Sequence, residues 1–89
     1  MTVTPELGLA LKTLRGAIER AIPDAQVEVQ SPDGRHFSAR VVSETFAGLP
    51  ALERHRRVYR ALGGHVGGAI HAFTLEALTP TEWQKKVRT

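Results

Sequence analysis

An 89-residue chain with 42% hydrophobic and 24% charged residues has the balance of one small globular domain, which excludes a disordered tail or a fibrous repeat. No apolar run approaches the about 18 residues of a membrane span, and the start MTVTPELGLALK lacks a basic segment followed by a long apolar one. The expectation is a soluble, untargeted, cytoplasmic protein. The absence of cysteine excludes a disulfide, a zinc–thiolate site, a cysteine nucleophile and any iron–sulfur site built from the chain's own thiolates. The net charge of +3 is mild but concentrated: Glu53-Arg54-His55-Arg56-Arg57-Val58-Tyr59-Arg60 carries four Arg against one Glu, a surplus equal to that of the whole chain.

Thr4-Pro5-Glu6 has the residue types of a helix start: a hydroxyl acceptor, a proline at the first helical position and an acid in the first turn. Leu7, Leu11, Leu14, Ile18 and Ile22 then recur at steps of three or four, which places them on one stripe of a helix that ends at Pro23-Asp24. Gln26-Val27-Glu28-Val29-Gln30 alternates as a half-buried strand, and Ser31-Pro32-Asp33-Gly34 supplies the turn. Phe37, Ala39 and Val41 resume the alternation, so the two strands read as an antiparallel hairpin.

After Ala47-Gly48-Leu49-Pro50, the residues Leu52, His55, Tyr59, Leu62 and Val66 fall three or four apart and predict the inner face of a second helix. Glu53, Arg56, Arg57 and Arg60 take the opposite face. The run Gly63-Gly64-His65-Val66-Gly67-Gly68 weakens the end of that helix, because glycine costs about 1 kcal/mol relative to alanine inside one. Ala69, His71, Phe73, Leu75 and Ala77 alternate as a third strand, and Thr79-Pro80-Thr81-Glu82 matches a capping box opening a short last helix that carries Trp83. Lys85, Lys86 and Arg88 lie where its dipole favours cations. The order α-β-β-α-β-α defines a single α+β domain over residues 1–89. A strand-helix-strand passage normally makes a crossover between parallel strands, which brings the strand starts at His36 and His71 to one end of the sheet.

His36-Phe37, Val41-Val42-Ser43-x-x-Phe46-x-Gly48, Arg54-His55-Arg56-x-Val58-Tyr59, Ile70-His71-Ala72-Phe73 and Thr79-Pro80-x-Glu82-Trp83 occur in this order and resemble the BolA-like family. The resemblance implies a three-stranded mixed sheet packed on helices, similar to the class II KH arrangement. It also implies binding rather than catalysis. Proteins of that family partner monothiol glutaredoxins, and the pair can hold a bridging [2Fe–2S] cluster with a glutaredoxin thiolate, the thiol of glutathione and ligands from the BolA-like chain. Carried onto this sequence, the histidine of the Ile-His-Ala-Phe motif is His71. The family's second ligand is a His or Cys in the first hairpin loop, and here the sequence departs: Ser31-Pro32-Asp33-Gly34-Arg35-His36 offers only His36 at its end.

Strand alternation places His36 opposite the Phe37 face and His71 on the Phe73 face, so regular strands aim the two rings apart and convergence needs a bend near Gly34. His55 reads as a packed side chain of the second helix and His65 as a solvated one. Ser43 and Glu44 read as a strand-end turn, with no base or orienting group to make a nucleophile of the serine. The leading expectation is therefore an iron–sulfur trafficking or iron-regulation adaptor that binds a monothiol glutaredoxin and shares a glutathione-ligated cluster through His71 and His36. Alone, the chain is expected to hold no cluster and to be a monomer or a weak homodimer. The alternative is a DNA-binding transcriptional regulator using Arg54, Arg56, Arg57 and Arg60 with the glycine-rich turn, whose Gly64-His65-Val66-Gly67 fits the GxxG of KH domains. A cluster-free interaction module is the third reading. The excess of Arg over Lys points to a GC-rich bacterial genome.

Overall fold

The computed structural model describes residues 5–34, 36–63 and 72–88 of the chain. Helix α1 spans Pro5–Ala21, strand β1 Gln26–Gln30, strand β2 His36–Val42, helix α2 Ala51–Leu62, strand β3 Ala72–Leu78 and helix α3 Pro80–Val87, with a 3-10 turn at Glu44–Phe46. This is the expected order with one short turn added. Thr4 of the expected first cap lies outside the described residues.

The sheet runs β1-β2-β3. β1 and β2 are antiparallel, with Val29 opposite Ala39, and β2 and β3 are parallel, with His36 opposite Ala72 and Phe37 opposite Phe73. Because alternate side chains point to opposite faces, Phe37, Ala39 and Val41 share one buried face of β2. Leu14, Ile18 and Ile22 from the α1 stripe close over them, together with Val58 and Leu62 of α2 and Phe46 of the 3-10 turn. Leu11, Val27, Val29, Phe73 and Leu75 border this core. On the other face of β2, the Arg40 guanidinium lies 3.9 Å from the ring centroid of Trp83 in α3, a cation–π contact. Arg40 also pairs with Glu28 across the strands, and Lys86 of α3 with Glu76.

The phase of α2 corrects the expectation. Its buried residues are Val58 and Leu62, while Leu52 is 64% exposed and Tyr59 39% exposed. The inward stripe is Arg54, Val58 and Leu62, each four residues apart. A charged residue interrupts that stripe, so the apolar spacing of Leu52, His55, Tyr59 and Leu62 gives a face rotated by about one residue. Tyr59 still reaches the sheet: its ring lies 5.9 Å from that of Phe73 at a tilt of 59°. Gly63, at φ 55°, caps the helix by donating its N–H to the Tyr59 carbonyl. The expected continuation to Val66, the GxxG at Gly64–Gly67 and His65 lie outside the described residues.

Candidate functional site

The first hairpin loop builds the most distinctive polar arrangement of the chain. Gly34, at φ 79°, takes a backbone conformation that side-chain-bearing residues rarely adopt, and its N–H donates to Ser31 Oγ at 2.8 Å. Asp33 then serves His36 twice. Its Oδ1 accepts the His36 backbone N–H at 2.9 Å, and its Oδ2 lies 2.7 Å from His36 Nδ1. An ionised carboxylate only accepts, so the proton of this contact sits on Nδ1, which leaves Nε2 as the nitrogen whose lone pair a metal would take. The side chain of His36 is 69% exposed.

This is the arrangement in which a carboxylate orients an imidazole for metal ligation. The expected strand parity holds for His36, which lies opposite the Phe37 face, but Asp33 ties its ring to the turn and not to the sheet surface. His71 lies outside the described residues. β3 begins beside it at Ala72, the parallel partner of His36. Among the described residues no three His, Asp or Glu side chains gather as a metal site. His36 with Asp33 is thus one oriented donor, whose chemistry fits an imidazole ligand to iron.

Asp33 is the residue of this arrangement that periodicity missed. The Pro-Asp-Gly turn was legible as backbone chemistry, and a carboxylate three residues before a strand-start histidine was its available signal.

The expected arginine cluster divides. Arg56, Arg57 and Arg60 are exposed on α2, and Arg57 and Arg60 border a shallow cavity of about 270 Å³ against Ile22, Pro23 and Thr45. Arg54 is a correction: its side chain is only 13% exposed, and its guanidinium makes four hydrogen bonds within the fold. Nε donates to the Leu49 carbonyl at 2.8 Å, and Nη1 to the Ala77 carbonyl at 3.2 Å. Glu82 receives Nη1 at 2.6 Å and Nη2 at 3.2 Å. The same carboxylate accepts the Thr79 N–H at 2.9 Å while Thr79 Oγ1 accepts the Glu82 N–H, completing the expected capping box. Arg54 first, and the Thr79 N–H second, hold the Glu82 carboxyl down at about 2. Arg54 is a strut between α2, β3 and α3, withdrawn from any surface partner.

Ser43 is likewise structural. It is buried, donates Oγ to Asp24 at 2.7 Å, and accepts the Thr45 N–H at 3.0 Å as the cap of the 3-10 turn. Asp24 also accepts the Glu44 N–H at 3.0 Å. Its carboxyl is lowered, mainly by the Ser43 hydrogen bond.

A small α+β domain with a mixed three-stranded sheet and a carboxylate-oriented histidine at the strand-start end is the class of protein so defined. The family of BolA-like proteins matches residues 16–82, and the chain belongs to it. Human BolA-like protein 1 is 33% identical over 88 residues, covering 89% of this chain and 64% of the human one. A Vibrio cholerae relative called DNA-binding transcriptional regulator BolA is 44% identical over 50 residues, covering 56% of this chain and 47% of its own length. The chain thus spans less than two thirds of each of these two relatives. The solved structure of a BolA protein homologue from Coxiella burnetii superposes with a TM-score of 0.70 at 38% identity, over 93% of this chain and 99% of that one.

Proposed function

We propose that this chain is an adaptor that pairs with a monothiol glutaredoxin and contributes imidazole ligands, His71 and His36, to a glutathione-ligated [2Fe–2S] cluster held between the two proteins. The observation that carries the reading is the oriented His36: Asp33 fixes Nδ1, Nε2 is open, and His36 stands opposite Ala72, the residue next to His71. Membership of the BolA-like family supports it. The cluster is cargo in this reading, passed on to or sensed by a client, and the chain's own residues bind and orient it. With no cysteine, a partner's thiolates must complete the two iron coordination spheres.

The test is anaerobic reconstitution of the chain with a monothiol glutaredoxin and glutathione. A visible spectrum distinct from that of the glutaredoxin homodimer, reverting toward it with His71→Ala, is the expected result. A spectrum unchanged by His71→Ala removes that residue as a ligand.

A second reading, a DNA-binding transcriptional regulator, is favoured by one observation. Arg56, Arg57 and Arg60 stand together on the exposed side of α2, and arginine suits planar contacts with phosphate. The name carried by the Vibrio cholerae relative agrees with it. Three cations on one short helix give modest, salt-sensitive affinity. Duplex binding that survives physiological salt would favour this reading over the first.

A further inference from the structure

Helix α2 carries two apolar stripes. Val58 and Leu62 face the core beside Arg54, while Leu52 and Tyr59, two turns apart on another side, stay exposed. Half-buried His55 stands between them. This second stripe turns toward β3, where the Tyr59 ring meets Phe73, and β3 is an edge strand paired with β2 alone among the described residues. Phe73 follows Ala72, the parallel partner of His36, and comes two positions after His71 in the chain. The Tyr59 end of the stripe therefore stands at the strand-start end of the sheet, with His36. Leu52 lies toward the opposite end, where Arg54 reaches the Ala77 carbonyl and Glu82.

We propose, resting on the adaptor reading above, that Leu52, His55 and Tyr59 form the surface against which the thiolate-bearing glutaredoxin docks. Ligand bonds to a shared cluster leave two proteins free to swing about it, so their orientation must come from protein contact. A stable interface covers about 800 Å² of each partner, a patch about 30 Å across. The two ends of the stripe lie only about 10 Å apart along the helix, so a partner seated at the strand-start end reaches along it. Tyr59, an aromatic ring backed by a second ring, is the kind of side chain that anchors such contacts. Charge agrees with a partner surface that carries carboxylates. Arg56 and Arg60 border the stripe and are exposed, and Glu53 is the one acid of the helix. A second copy of this chain is disfavoured: stacking Leu52 of one copy on Tyr59 of the other sets the two Arg56 side chains beside each other at the twofold axis.

The test titrates the whole chain into a monothiol glutaredoxin loaded with the [2Fe–2S] cluster and glutathione, followed by the visible spectrum. The midpoint of the titration reads docking, and the end-point spectrum reads ligation. Tyr59→Ala should raise the midpoint about 10–100-fold, the order for truncating an aromatic anchor. Leu52→Ser and Arg56→Glu should raise it by smaller factors. All three should reach the parent's end-point spectrum, because every ligand is retained. Circular dichroism checks folding, and Leu52→Ser, at a side chain clear of the core, carries the test if Tyr59→Ala unfolds. Folded variants with the parent's midpoint would overturn the docking surface and leave the adaptor reading standing, as would an altered end-point spectrum at an unmoved midpoint. No spectral change with the parent chain would overturn both. A parent homodimer that Leu52→Ser dissociates would assign the stripe to a second copy and overturn the proposal.

Discussion

Arg54 and Glu82 hold the two ends of the fold's second half together: a guanidinium from α2 reaches across the end of β3 to the carboxylate that caps α3. Because that carboxyl is held down at about 2 from an ordinary 4.5, folding favours its ionised form. The linked stability is present above about pH 4.5, where the unfolded group is also ionised, and is lost as pH falls toward 2. Replacing Glu82 by Gln should flatten this part of the profile. Urea midpoints measured from pH 5 to 2 would show it as a shallower slope than the parent's. Added salt should shrink the difference, because the carboxylate stands in contact with solvent.

Arg54→Ala should destabilise the chain by about 1–3 kcal/mol, the range for leaving hydrogen-bonding groups unpaired, since the Leu49 and Ala77 carbonyls both lose their donor. Arg54→Lys should recover only part of the loss, because one ammonium cannot serve two carbonyls and a bidentate carboxylate. Equilibrium urea unfolding of the three proteins reads the series.

Local patterns made much of this fold legible. The α1 stripe, the alternation of β1 and β2, and the Thr79-Glu82 capping box each depend on residues close in sequence, and each stands where its pattern put it. What periodicity missed depends on distant partners. Arg54 resembles any solvated arginine until Glu82, 28 positions on, is placed beside it, and that misreading rotated the inferred inner face of α2. Ser43 is the strand-end turn residue that its pattern predicts, and what local pattern cannot supply is its partner Asp24, 19 positions before it. The His36–Asp33 pair is local, yet it was read for its turn alone because alternation describes which face a residue takes and not where its ring is tied.

Ser43→Ala should cost about 1–2 kcal/mol, the order of a lost cap hydrogen bond in a buried setting. It removes at once the donor to Asp24 and the acceptor for the Thr45 N–H, loosening the turn that carries Phe46 into the core. Asp24→Asn should move stability the same way, and Phe46→Ala further, by about 3–5 kcal/mol as for other buried aromatic truncations. Thermal and chemical unfolding of the three variants would show Phe46→Ala as the most damaged.

Arg56, Arg57 and Arg60 share the exposed side of α2, so replacing all three by Ser should leave the fold intact. Any affinity for duplex DNA should fall, and the slope of log affinity against log salt should drop by about 0.9 for each phosphate contact removed. Binding isotherms at several salt concentrations, with circular dichroism as the folding control, measure both. An unchanged slope would place the contacts elsewhere.

The oriented histidine gives the sharpest comparison. If Asp33 prepares His36 for ligation by holding Nδ1, then Asp33→Ala should make the shared cluster more labile without removing a ligand. Loss of such an orienting partner typically weakens metal affinity about 10–100-fold. His36→Ala should increase lability further, and His71→Ala should do most, because its loss also shifts the visible spectrum toward that of the glutaredoxin homodimer. The chain reconstituted alone should hold no stable cluster, since two imidazoles cannot complete two iron coordination spheres. Cluster decay followed by absorbance under a chelator ranks the variants, with partner binding measured separately by calorimetry. The order parent, Asp33→Ala, His36→Ala, His71→Ala, from slowest to fastest decay, is the expected one. A His36→Ala complex that decays at the parent's rate would leave Asp33 holding a ring that serves only the turn.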